Sequence, residues 1–163
     1  MFDNESYFFG EFTHALDSQR RIAIPSEWRS KGEEARFILL PGRDSLMMVP
    51  FESFREFLKK AQKVSFANRK AQLALAQIGA KVQECSCDKQ GRIKISQKLL
   101  DPYGITEQAV MVGAFTSIQM WSPETWAKHQ DGADNCLDEL QRISESPDGF
   151  MEMFQETMEK IKD

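Results

Sequence analysis

Asp17-Ser18-Gln19-Arg20-Arg21-Ile22-Ala23-Ile24 and Asp88-Lys89-Gln90-Gly91-Arg92-Ile93-Lys94-Ile95 stand 71 residues apart and agree at five of eight positions. Agreement at one fixed spacing marks an internal repeat. After a one-residue slip the offset becomes 72, and Phe37 to Phe54 runs beside Ala109 to Trp126, matching Ser45 with Ser117, Met48 with Met120 and Glu52 with Glu124. The two copies cover residues 7 to 54 and 79 to 126, separated by a connector over 55 to 78 and followed by a tail over 127 to 163.

Apolar residues alternate across Ile22/Ile24 and Ile93/Ile95, and β-rich runs follow at 37 to 40, 46 to 49, 109 to 112 and 118 to 121, so strands dominate each copy. Ser26 and Ser96 occupy helix N-cap positions ahead of short helices over Glu27 to Lys31 and Gln97 to Leu100. A copy this short cannot bury its own apolar face well. The expected fold class is therefore α+β, with two tandem β modules packed together about a pseudo-twofold axis. In the connector the period changes to that of a helix, first through Phe51, Phe54, Phe57, Leu58 and Ala61, then through Leu73, Leu75, Ala76 and Ile78. Ser122-Pro123 predicts a cap and first turn for a helix reaching about His129. Beyond it, Asn135 to Asp163 reads as an acidic helical segment broken at Pro147-Asp148-Gly149, with Phe150, Met153, Phe154, Met158 and Ile161 at helical spacing.

The net charge of −4 conceals an uneven distribution: residues 131 to 163 hold 10 acids and 3 bases, leaving 15 acids and 18 bases in residues 1 to 130. The body is thus mildly basic, compatible with a phosphate-binding surface where Arg and Lys cluster. The acidic start Met1-Phe2-Asp3-Asn4-Glu5 is unlike a signal peptide, and no apolar run reaches the roughly 18 residues of a membrane span. These features, with an odd number of cysteines of which Cys85 and Cys87 lie two apart, predict a cytoplasmic protein with reduced thiols and no membrane contact.

The repeated D-x-x-x-R carries the chemistry. Asp88-Lys89-Gln90-Gly91 has the make-up of a tight hairpin turn, with Asp at its first position to accept backbone amides and Gly at its fourth for positive φ. Arg92 emerges where the returning strand starts, and Arg21 does so in the first copy. An arginine launched from a stiff turn offers its planar donor fork to a phosphate or to guanine O6 and N7. Arg20, Lys89 and Lys94 are the adjacent phosphate-contacting candidates; Asp17, Asp88 and Gly91 support the motif. The same spacing also fits two internal salt bridges that merely stiffen hairpins, and both readings stand on sequence alone.

The run Gly10 to Asp17, continued by Arg21-Ile22-Ala23-Ile24-Pro25, resembles the opening of the MraZ family; Asp88 to Ile93, Val112-Gly113 and Trp121 resemble its second half. The likeness spans residues 8 to about 126. It implies two AbrB-like swapped-hairpin modules in one chain and a transcriptional regulator of the division and cell-wall gene cluster, its own promoter included. It further implies a nucleoid-associated homo-oligomer, a ring of eight or twelve subunits, presenting the motif arginines to repeated sites on double-stranded DNA. Two departures stand out. Arg20 replaces the glycine expected before the motif arginine, which asks a non-glycine residue to adopt positive φ, and Ser96 replaces the proline that Pro25 retains.

Other chemistry fits less well. With His14 and His129 as its only histidines and no nucleophile-elbow, P-loop or dinucleotide fingerprint, the chain does not read as an enzyme, and no cofactor or small-molecule ligand is expected. Cys85 and Cys87 supply half a zinc site at most and read as buried small residues, so no metal is expected. Phe51, Phe54 and Phe57 read as core rather than as a stacking platform. The alternative function is an interaction protein that binds or restrains a neighbouring enzyme on the same scaffold.

Overall fold

Alternation of apolar with polar side chains makes strands of both motif runs. In the computed structural model, which describes residues 7–29, 34–130 and 133–145, β2 (Arg21–Ala23) and β6 (Arg92–Lys94) form an antiparallel ribbon. Arg21 lies opposite Lys94, Ile22 opposite Ile93 and Ala23 opposite Arg92. Ile22 and Ile93 are fully buried. The period of two then sends Arg21, Ala23, Arg92 and Lys94 to the opposite face of the ribbon.

The remaining strands are β1 (Glu11–Ala15), β3 (Arg36–Pro41), β4 (Leu46–Pro50), β5 (Gln83–Ser86), β7 (Gln108–Gly113) and β8 (Ile118–Trp121). They build one antiparallel sheet in the order β1-β7-β8-β4-β3-β5. Exchanging β1 to β4 of the first copy with β5 to β8 of the second reverses this order and reproduces it. The first strand of each copy hydrogen-bonds to the third strand of the other, β1 to β7 and β5 to β3. At the centre β4 meets β8, with Met47 opposite Gln119, its own counterpart in the repeat. Ile22, Ile24, Leu46 and Met48 of the first copy join Ile93, Ile95, Ile118 and Met120 of the second in one core. Neither copy could assemble that core alone. The fold is α+β, with a predominantly antiparallel sheet and repeated halves.

Helix α1 (Phe51–Ala61) buries Phe54 and half-buries Phe51 and Phe57 against Ile38 and Val49, which settles the phenylalanine stripe as core. Helix α2 (Arg69–Gly79) is capped by Asn68, whose side chain accepts the Ala71 N–H at 3.1 Å, yet it buries no residue, and Leu73 is 60% exposed. Helix α3 (Gln97–Leu100) has the predicted bounds. Its predicted hydroxyl cap does not form, because the Leu99 N–H donates to the Ser96 carbonyl at 3.1 Å; separately, the Ser96 backbone N–H donates to Gln83 Oε1 at 3.0 Å. Ser26 is likewise not an N-cap. It lies inside a single 3₁₀ turn, Ser26–Trp28, because extended Pro25 already supplies the entry and its carbonyl accepts the Trp28 N–H. The turn stops at Trp28, since Arg29 is extended; Lys31, the predicted helix end, lies outside the described residues.

Helix α4 (Pro123–His129) starts as predicted, with Ser122 Oγ accepting the Thr125 N–H at 3.2 Å. The chain divides into two units, Met1–Trp126 and Ala127–Asp163. In the second unit, helix α5 (Ala133–Glu145) exposes Leu137, Leu140 and Ile143. The predicted break at Pro147-Asp148-Gly149 and the apolar series from Phe150 to Ile161 lie outside the described residues. Among the described residues, no helix is long and apolar enough to cross a membrane.

Candidate nucleic-acid interface

Each motif folds as a turn locked by its aspartate. In the first, the Asp17 N–H donates to the Arg21 carbonyl at 3.0 Å and the Arg20 N–H donates back to the Asp17 carbonyl at 3.0 Å. Asp17 Oδ1 accepts the backbone N–H groups of Gln19 and Arg21, both at 2.9 Å, while Oδ2 accepts Arg21 Nε at 2.7 Å. The second turn repeats this bond for bond. Asp88 Oδ1 accepts Gln90 and Arg92 N–H at 2.9 Å, and Oδ2 accepts Arg92 Nε at 3.0 Å. One aspartate thus satisfies the turn and orients the arginine.

Because the carboxylate grips Nε, no hydrogen bond to the described residues occupies the Nη groups at the far end of either guanidinium. A single Asp–Arg unit therefore serves as brace and as donor fork. The two units also touch: Arg92 Nη1 lies 3.8 Å from Asp17 Oδ2, so one composite surface spans both copies. The amides of Arg21 and Arg92, ahead of the salt bridges themselves, hold the Asp17 and Asp88 carboxyls below the usual carboxylate range. Both carboxylates are therefore ionised near neutral pH.

Lys94 is exposed beside Arg21 on the outward face of the ribbon, and Lys89 is exposed in the second turn. Arg20 adopts φ 58°, the strained conformation its place in the turn demands, and its Nε donates to the Ile95 carbonyl at 3.3 Å. The equivalent Gly91 has φ 76°. A Cβ on Gly91 would overlap the guanidinium of Arg29, a residue the motif reading missed. Arg29 packs a cation on the second turn, with its Nε buried and lacking a hydrogen-bond partner among the described residues. The repeat sets Arg29 against Leu100, a charge against an apolar residue, but that mismatch does not point to the second turn. Cys85 and Cys87 lie in the core, where burial pushes their thiols up to about 12 and about 11.

A protein-family model described as MraZ protein, with a provisional antitoxin-like label, matches residues 7–77 and again 79–143. The chain belongs to the MraZ family. The two matched segments each contain one copy of the repeat and one Asp–Arg turn. A relative from Clostridium tetani is 34% identical over 139 residues, covering 85% of this chain and 97% of the relative. One from Corynebacterium jeikeium is 33% identical over 138 residues, covering 80% and 96%, and one from Clostridium acetobutylicum is 31% identical over 139, covering 85% and 97%. All three are named Transcriptional regulator MraZ, so the MraZ family is one of transcriptional regulators rather than enzymes.

Proposed function

We propose that this MraZ-family chain is a sequence-specific DNA-binding regulator whose base-reading groups are Arg21 and Arg92, with Arg20, Lys89 and Lys94 on phosphates. The observation that carries this reading is the pair of like-built Asp-braced turns, whose guanidinium Nη groups donate no hydrogen bond to the described residues and which meet where Arg92 Nη1 lies 3.8 Å from Asp17 Oδ2. Asp17, Asp88 and Gly91 shape the turns. We read the crossed strand pairing as AbrB-like swapped-hairpin packing about a pseudo-twofold, supported by the sheet order that survives exchange of the copies. On this reading the chain divides into modules at 7–54 and 79–126, a connector over 55–78 and an acidic tail over 127–163.

The regulated promoter is that of the division and cell-wall cluster, including the protein's own, and the working form is a nucleoid-associated cytoplasmic ring of eight or twelve copies. Self-association is supported by Phe9 and Phe115, which are 59% and 55% exposed with ring centroids 5.4 Å apart. Surface aromatics gathered in this way call for cover. A second reading, restraint of a neighbouring enzyme, is favoured only by the antitoxin-like label of the family description.

A mobility-shift titration against the protein's own upstream DNA separates the two. Arg21→Ala and Arg92→Ala should each cost about 1 to 3 kcal/mol of specific binding. A double variant that stays folded by circular dichroism and binds as the wild type does would leave the salt bridges with a purely structural role.

A further inference from the structure

Between Phe57 and Gln83 the chain carries six bases, Lys59, Lys60, Lys63, Arg69, Lys70 and Lys81, and no acid. All six are exposed, along the last turn of α1, the loop, the start of α2 and the turn just past its end. Lys59 pairs with Glu56 at 3.1 Å, but Lys63, Arg69, Lys70 and Lys81 make no ion pair with any described residue. Ordinary surfaces intersperse both signs, and a single-sign block repels itself unless an opposite charge answers it. Core packing does not explain the patch either, because α2 buries no side chain.

Its placement ties it to the motif ribbon. Helix α2 runs through Lys81 and Val82 into β5, whose first residue, Gln83, donates its side-chain amide to the Lys94 carbonyl at 2.9 Å. Lys94 in turn lies opposite Arg21. Cations thus stand at both ends of α2, Arg69 and Lys70 at its start and Lys81 just past its end on the side of the ribbon, and its 11 residues span about 16 Å at the rise of an α-helix. Phosphates recur about every 3.4 Å along one DNA strand. The two charged ends are therefore spaced to meet phosphates several steps apart on the backbone rather than a single anion.

We propose that the basic segment from the end of α1 through α2 to Lys81 is a second, sequence-neutral contact of this protein with the DNA phosphate backbone, flanking the duplex engaged by the Arg21 and Arg92 turns. The inference rests on the DNA-binding reading above. Its lysines act as point charges on flexible stems, displacing condensed counterions and adding affinity without base information.

The test compares the full-length protein with a Lys63→Gln/Arg69→Gln/Lys70→Gln variant by fluorescence anisotropy across a salt series. Two duplexes are used, the DNA upstream of the coding region and a scrambled duplex of equal length. The variant should bind both about tenfold more weakly with their ratio unchanged, and its log–log salt slope should be shallower by about 2 to 3. Lys63→Arg/Lys70→Arg should retain wild-type affinity. Unchanged affinity and slope on both duplexes would overturn the proposal while leaving wild-type discrimination, and hence the DNA reading, intact. Loss confined to the upstream duplex would contradict it too, since the segment would then be reading bases. A fall in particle size by light scattering with the slope unaltered would assign the patch to a protein interface instead. If the wild type binds neither duplex, the DNA reading itself fails and carries this inference with it.

Discussion

Asp17 Oδ2 lies 2.7 Å from Arg21 Nε and 3.8 Å from Arg92 Nη1, whereas the ion pair of Asp88 is with Arg92. Both carboxyls are held below the ordinary carboxylate range, chiefly by the backbone amides they accept. A lowered folded-state pKa stabilises the turns fully above the unfolded value near 3.8, and that contribution disappears as pH falls through the lowered value. Carboxyl carbon shifts followed by NMR should therefore titrate below those of an unfolded peptide, with Asp17→Asn removing one transition. The fourth turn position gives a paired prediction. Gly91→Ala combines φ 76° with overlap of Arg29 and should destabilise by about 1 to 3 kcal/mol. Arg20→Gly relieves a strained φ of 58° and should be neutral to stabilising by up to about 1 kcal/mol, offset in part by the lost bond to Ile95. Denaturant melts of both variants check the opposite signs. The demand for positive φ at Arg20 was legible from the repeat alone; the cation over Gly91 was not, because it comes from a different element of the other copy.

At the scale of elements, patterning placed β3, β4, β7 and β8 within a residue of their observed ends, and α3 at its bounds, because alternation over a half-buried sheet is a local property. The serine caps were misjudged for a physical reason. A cap hydroxyl competes with backbone carbonyls for the same amide, and the Ser96 carbonyl takes the Leu99 N–H that the cap would have used. The cysteines of β5 and its exit show burial acting on chemistry. With thiols raised to about 12 and about 11, Cys85 and Cys87 stay protonated at pH 8, whereas Cys136 is exposed. Iodoacetamide at that pH should give the native protein one rapid adduct and the denatured protein three by mass spectrometry. Rapid loss of Cys85 in the folded state would contradict the core placement.

For the whole molecule, the crossed pairing of β1 with β7 and β5 with β3 consumes each copy's first strand in the other copy, so the halves are expected to fold as one cooperative unit. Two similar but unlike copies also give the chain a polarity, as Arg20 against Gly91 illustrates. If such a chain self-associates head to tail rather than through an isologous twofold contact, closure of that contact makes a ring. Native mass spectrometry at micromolar concentration should then show a discrete multiple of 18.7 kDa, with Phe9→Ser/Phe115→Ser shifting the population toward smaller species. A monomer or a dimer that never grows would contradict the ring.

The repeat, the strand periods, the proline-led helix at Ser122 and the aspartate-braced turns were all written in the sequence, because each depends on residues within a few positions of one another. Which strand pairs with which was not: a period of two fixes the face a strand buries but carries no information about its neighbour. Only the tertiary structure decided that the two turns share Asp17, that Arg29 covers Gly91, and that Gln83, at the start of β5 just beyond α2, bonds to the motif ribbon. Each of these contacts joins residues far apart in the chain, and the burial and hydrogen-bond energies that select them exist only once both copies have packed together.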